Sequence, residues 1–235
     1  MGMSIEFLHG PVLVVAAHPD DEVLGCGGLI AKLTTAGIDV VIKFMSDGES
    51  SRANLSSEEV SRLIKKRNEA ALRSSEILGV RDVHFGKFAD NQMDSEPILS
   101  IARELETLMA ELKPLTVLTH SNSDLNVDHR RTTEAVLIAT RPMPGQSVRS
   151  VLMYETLSST EWNYSAVPQF RPNIFVDISA HVDKKLSALN EYVSEIREWP
   201  HPRSMDGLKI AMQHRGSSVG RELVEAFELI RHVII

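Results

Sequence analysis

Basic residues are outnumbered in this chain: 25 Lys and Arg stand against 32 Asp and Glu, a net charge of −7. With no surplus of cations to displace counterions from a phosphate backbone, nucleic acid is not expected as a partner. Cysteine is almost absent. The single Cys26 excludes an internal disulfide and fits a reducing compartment. No apolar run approaches the roughly 20 residues that cross a bilayer, so no membrane span is expected. The opening MGMSIEFLHG lacks the basic and apolar regions of a secretory signal, which makes a cytoplasmic location the expectation. Internal repeats, low-complexity tracts and linker-like composition are also missing, and residues 1–235 read as one domain.

Short apolar runs alternate with longer segments of helical period, the pattern of an α/β fold with a mostly parallel sheet covered by helices. Strands are predicted at 11–17, 39–45, around 83–85, and at 115–119, with two more near 150–154 and 174–178. The first is nearly pure Val, Leu and Ala, as expected for a strand buried on both faces. Ile98, Ile101, Ala102, Leu105, Leu108, Met109 and Leu112 mark a one-sided helix, and Val182, Leu186, Leu189 and Val193 mark another. A doubly wound sheet begins in the order 3-2-1-4, so strands one and four are neighbours and ligands bind outside their carboxyl ends. The loops after Ala17 and Thr119 should hold the chemistry.

The first of these loops reads Ala17-His18-Pro19-Asp20-Asp21-Glu22. His18 and Asp21 converge on a cation if the chain turns at Pro19, leaving Asp20 beside it as a base for a metal-activated water. Helix capping accounts for Glu22 but not for an imidazole and two more acids at one strand end, where like charges repel. The second loop runs from His120 to Arg130, with a helix expected from about Arg131 to Ala139. His129 supplies a third ligand and leaves a fourth position open, as catalytic zinc sites do. Asp128 is placed to orient an imidazole. Asn126 reads equally well as a helix N-cap or as a catalytic amide, and His120 as a strand-ending residue or a site residue.

Gly25, Gly27 and Gly28 invite a nucleotide-binding reading, with Asp47 about 20 residues beyond as a ribose-binding acid. The third glycine is missing at the required spacing, and the acids would repel a pyrophosphate. The glycines are better explained by close packing of the first helix on the sheet, with Cys26 as a small packed residue. Arg67 interrupts an apolar helical stripe over 60–78 and needs a carboxylate or a substrate. Asp90 and Asn91 follow the third strand on the same rim, as sugar ligands or as a turn. His201 and Arg203, in the stiff run Pro200-His201-Pro202-Arg203-Ser204, are candidates for a site wall or a subunit contact. Trp162 is a candidate sugar platform or a lid residue.

These loops resemble those of the LmbE-like, or PIG-L-like, metal-dependent deacetylases. The likeness rests on Ala17 to Glu22 and on Asp128-His129-Arg130, with weaker agreement over 67–78 and at Asp90-Asn91. It implies a Rossmann-like three-layer αβα fold, Zn2+ held by His18, Asp21 and His129, and Asp20 as general base; Fe2+ or Co2+ suits the same ligands. It also implies removal of an N-acetyl group from a small amino sugar or sugar conjugate. The segment from Glu155 through 200–204 resembles bacterial members tied to polysaccharide or nucleotide-sugar biosynthesis. An arginine at Arg67 is similar to one that touches the sugar. Many members carry a histidine where this chain has Asn126, whose amide can donate to an oxyanion but cannot move a proton. That leaves Asp20, His120 or His201 to protonate the leaving amine. Members often form trimers or hexamers, so the resemblance allows a homo-oligomer. A noncatalytic metal-containing sugar-binding protein and a nucleotide-binding Rossmann protein are the other readings.

Overall fold

The computed structural model describes residues 8–165 and 168–234. Strand β1 (Val12–Ala16) is buried throughout and lies between β2 (Val40–Ser46) and β4 (Thr116–His120), parallel to both. Strands β3 (Asp82–Phe88) and β5 (Ser150–Tyr154) extend the parallel set, giving the predicted 3-2-1-4 core. Beyond it the sheet turns antiparallel: β7 (Val224–His232) pairs with β5, and β6 (Ile174–Asp177) pairs with β7 at the edge. The full order is β3-β2-β1-β4-β5-β7-β6.

Alternate residues of β1 point to opposite faces, and each face has its own apolar core. Val12, Val14 and Ala16 pack with helices α1 (Asp21–Thr35), α2 (Ser57–Leu78), α5 (Val182–Leu189) and α6 (Met205–Ser217). Leu13 and Val15 pack with α3 (Ile98–Leu112) and α4 (Val127–Ala139). The result is the three-layer αβα arrangement. Among the described residues no helix is long and apolar enough to cross a membrane.

Two expectations are corrected, and two elements were not expected. The helix carrying His129 begins at Val127, not near Arg131, so His129 sits in its first turn. The helix from Val182 stops at Leu189; Tyr192 turns inward in place of Val193, which is 74% exposed. Neither β7 nor α6 is marked by the apolar pattern.

Helix α1 is broken, and the break explains its glycines. Cys26 has φ −143° and ψ 19°, outside the helical region. A Cβ on Gly25 would enter the Tyr154 ring, and one on Gly28 would lie 2.6 Å from Ile178 Cδ1, so both glycines permit close approach to the neighbouring layer. Groups freed at the break find partners from distant elements. Gly28 N and Leu29 N donate to the two carboxylate oxygens of Glu225 in β7 at 2.8 and 2.7 Å. Lys185 Nζ in α5 donates to Leu24 O at 2.9 Å and to Glu225 Oε1 at 2.6 Å. The Lys185–Glu225 pair thus stands in for helical hydrogen bonds in the turn that follows the site.

Candidate metal centre

The carboxyl ends of β1 and β4 lie side by side at one end of the parallel core, and each hands the chain to a loop and a helix start. After β1 the chain turns sharply: Asp20 adopts φ 126° and ψ −26°, a conformation that costs a non-glycine residue about 1–3 kcal/mol. That turn lets Asp20 and Asp21 point in different directions although they are adjacent.

One ligand atom from each of His18, Asp21 and His129 lies within 4.8 Å of the others, and all three residues are buried. Asp21 Oδ2 is 3.3 Å from His18 Nδ1 and 3.3 Å from His129 Nε2, and it accepts from His18 N at 2.8 Å. Asp21 Oδ1 is buried with no hydrogen-bond partner. Such an oxygen is costly to leave unpaired. Two imidazole nitrogens beside this carboxylate form a donor set suited to a divalent cation.

The outer side of each imidazole is also occupied. His18 Nε2 lies 3.0 Å from Asp128 Oδ2 and 3.0 Å from Asp90 Oδ1, while Asp128 accepts from Asn91 N and Met93 N at 2.7 and 3.0 Å. His129 Nδ1 lies 3.2 Å from Asp124 Oδ2, and Thr160 Oγ1 donates to that same oxygen at 2.6 Å. Carboxylates placed this way fix ring orientation and raise the basicity of the inner nitrogen. The two other buried clusters, His120-Asp124-His129 and His18-Asp90-Asp128, share these imidazoles with their outer partners.

Protonation follows from the same crowding. Burial works against charge on His129, but Asp21 and Asp124 outweigh it and hold its pKa at about 9. Burial opposes charge on His18 as well, and hydrogen bonds to Asp128, Asp21 and Asp90 hold its pKa well above the usual range. Burial pushes Asp21 up, yet His129 and His120 hold it well below the usual carboxylate range. The cluster therefore gathers positive charge, which a metal ion can supply in place of protons.

Asp20 is 1% exposed. Burial pushes its pKa up to about 6, against the lowering pull of Arg67 and Arg203. Arg203 Nη1 donates to Asp20 Oδ2 at 3.0 Å, and Arg67 Nη2 is 3.6 Å from the same oxygen. Arg67 Nε also donates to Pro19 O at 2.8 Å, and its Nη1 pairs with Glu49 and Glu195. It therefore meets the first loop, as its place in an apolar stripe demands.

A cleft of about 260 Å³ opens over the cluster, lined by His18, Asp20, Asp21, Arg67, Asp90, Asn91, Asn126, His129 and Arg203 among others. Asn126 caps α4, its Oδ1 accepting from Asp128 N at 2.8 Å, while Nδ2 donates to Asn91 Oδ1 at 3.1 Å. Both readings of this residue are thus compatible with its position.

Two candidate substrate residues are not brought to the cleft. His120 is fully buried behind His129, its ring stacked at 3.9 Å. Its Nε2 accepts from Ala17 N at 2.8 Å, and Nδ1 lies 3.1 Å from Thr156 Oγ1. Burial, with His129 adding to it, drives its pKa down to about 3, so it is neutral and in no position to protonate an amine. His201 stands outside the cleft lining, its Nδ1 accepting from Arg203 N at 3.0 Å and its ring edge-on to Trp162.

Asp124, Glu49 and Glu195 were not singled out from sequence. Asp124 stands in the second loop, five residues before His129, so its position was open to notice. Glu195 carries no local sign, since its role depends on meeting Arg67 from a distant segment.

A buried cluster of two histidines and an aspartate at the carboxyl ends of central parallel strands, with another carboxylate at its side, is the donor set and base that a metal-dependent hydrolase requires. A family model described as GlcNAc-PI de-N-acetylase, PIG-L, matches residues 13–140. The chain belongs to this family. It is 32% identical over 197 residues to the diacetylchitobiose deacetylase of Thermococcus kodakarensis, covering 80% of this chain and 70% of that protein. Among solved structures it resembles the N,N'-diacetylchitobiose deacetylase of Pyrococcus horikoshii, with a TM-score of 0.76, 22% identity, and 94% and 83% of the two chains covered. It likewise resembles the 4-carboxy-2-hydroxymuconate hydratase of Pseudomonas putida KT2440, with a TM-score of 0.74, 23% identity, and coverage of 95% and 97%. At these identities the two structures establish the shared fold.

Proposed function

We propose that this enzyme uses Zn2+ to remove the acetyl group from the nitrogen of an amino sugar or sugar conjugate, with a nucleotide sugar or polysaccharide precursor as the favoured substrate class. The observation that carries the reading is the convergence of His18, Asp21 and His129, both imidazoles lying 3.3 Å from Asp21 Oδ2 while the buried Oδ1 has no partner, with the Asp20 carboxylate on the same cleft. His18, Asp21 and His129 would hold the cation, and Fe2+ or Co2+ suits the same donors. When bound, such a cation supplies Lewis acidity toward the amide carbonyl and an acidified water.

Asp20 takes a proton from the attacking water as the new C–O bond forms. Asn126 Nδ2 has a second N–H beyond the one given to Asn91, and it donates to the carbonyl oxygen as negative charge develops there. Cleavage of the C–N bond releases acetate, and Asp20 returns its proton to the leaving amine. Assigning both transfers to Asp20 fits the cleft lining, which contains neither His120 nor His201. Arg67 and Asn91 face the sugar at the rim, with Asp90 steadying His18.

Asp20→Asn tests the assignment. Zinc content should be unchanged while acetate release falls about 10²- to 10⁴-fold, the usual contribution of a positioned base. Retained turnover would remove Asp20 from the role. Acetate is the product to follow, because the hydratase chemistry named for the P. putida neighbour would yield none.

A further inference from the structure

Asp20 reaches into the cleft from a strained turn, yet no side chain of its own loop holds its carboxylate. The partners come from far along the chain: Arg67 from α2 and Arg203 from the segment just before α6. They act differently. Arg67 stands 3.6 Å away and divides its charge among Asp20, Glu49 and Glu195. Arg203 makes a directed hydrogen bond to Oδ2 at 3.0 Å, with Glu195 Oε2 farther off at 3.9 Å. Its guanidinium is anchored from the other side, Nε donating to Ser158 Oγ at 2.7 Å and to Leu157 O at 3.3 Å. Both arginines contact Oδ2 of the Asp20 carboxylate, which lies on the cleft.

We propose that Arg203 is a positioning residue: anchored on the 157–158 turn, it grips Asp20 Oδ2 and leaves Oδ1 turned toward the place where water must lie. A base must be held at the productive angle as well as present, and a misplacement of about 1 Å costs on the order of 10²-fold in rate. The planar guanidinium suits the task because its fork bonds Ser158 and Asp20 at once, which a lysine ammonium on a flexible stem does not. The loop after β5 and the segment before α6 thereby set the geometry of a residue at the end of β1.

The catalytic consequence rests on the deacetylase reading; the geometry does not. The experiment compares zinc-loaded wild type with Arg203→Ala, Arg203→Lys and Ser158→Ala. It measures metal content, steady-state kinetics on an N-acetylated sugar the wild type turns over, and crystal structures. Arg203→Ala should lower kcat about 10- to 100-fold with KM within about twofold and zinc retained, the signature of an interaction needed only in the transition state. Added guanidinium should restore part of the loss. Arg203→Lys should fall between alanine and wild type, and Ser158→Ala, which keeps the guanidinium but frees its anchor, should show a smaller loss of the same kind. In the Arg203→Ala crystal structure the Asp20 carboxylate should leave its wild-type orientation. A rise in KM at constant kcat, or an unmoved Asp20 carboxylate, would overturn the proposal. Should wild type release no acetate from any sugar, the pair of crystal structures still decides the positioning role, and only the deacetylase reading falls.

Discussion

Separating Lys185 from Glu225 should be among the most damaging changes in this protein, although neither residue touches the cleft. Their side chains are 2% and 3% exposed, and between them they satisfy Gly28 N, Leu29 N and Leu24 O at the break in α1. Lys185→Met leaves a buried carboxylate without its counter-charge and Leu24 O without its donor. Glu225→Gln leaves a buried ammonium and withdraws one acceptor from the broken helix. Removing one partner of a buried pair costs about 3–5 kcal/mol. At about 2–4 °C per kcal/mol for a chain of this size, each single variant should lose about 6–20 °C in melting temperature. The double variant should lose much less than the sum, because both singles destroy one unit. Urea and thermal unfolding of the metal-free protein supply the numbers. Losses below about 1 kcal/mol, or simple additivity, would refute the idea that the pair bridges the break.

Asp124→Asn weakens the outer support of His129 and should reduce zinc affinity about 10- to 100-fold, read by competition with a chromophoric chelator. Asn126→Ala should cost about 1 kcal/mol in stability from the lost N-cap of α4. Asn126→Ser should keep most of that stability yet lose the amide donor; if its kcat equals wild type, Asn126 is a cap alone. Gly25→Ala drives a methyl group into the Tyr154 ring and should destabilise by about 1–3 kcal/mol, measured by thermal unfolding.

The parallel core was legible because strands buried on both faces favour apolar residues: Val12–Ala16 is apolar throughout, β2 is apolar apart from Lys43 and Ser46, and Val117 and Leu118 carry the pattern in β4. The position of the site followed from topology, since neighbouring β1 and β4 bring their loops together at the switch point. Strand β7 was hidden for a physical reason. Glu225 is buried in it as a partner for Lys185 and two backbone amides, so a charged residue stands where the pattern calls for an apolar one. Helix α6 carries glycines at 207 and 216 and a weak apolar stripe, which makes its sequence read as loop. Val193 continued the period of α5, but the chain leaves the helix at Leu189 so that Tyr192 can reach Glu22 at 2.7 Å. The residues of the candidate metal centre cluster in two short loops and could be read together. The network around them could not: Arg203 lies 183 positions from Asp20, and Glu195 has no local motif to link it with Arg67.

A cation held by His18, Asp21 and His129 is proposed to drive removal of an acetyl group. This role is tested most directly by acetate release from a panel of N-acetylated sugars and nucleotide sugars, assayed with the protein as purified, after chelation, and after zinc is restored. Release is expected from at least one compound, lost on chelation and recovered with zinc. Release that persists in fully chelated protein, or no release from any compound by protein shown to carry its metal, would contradict that role.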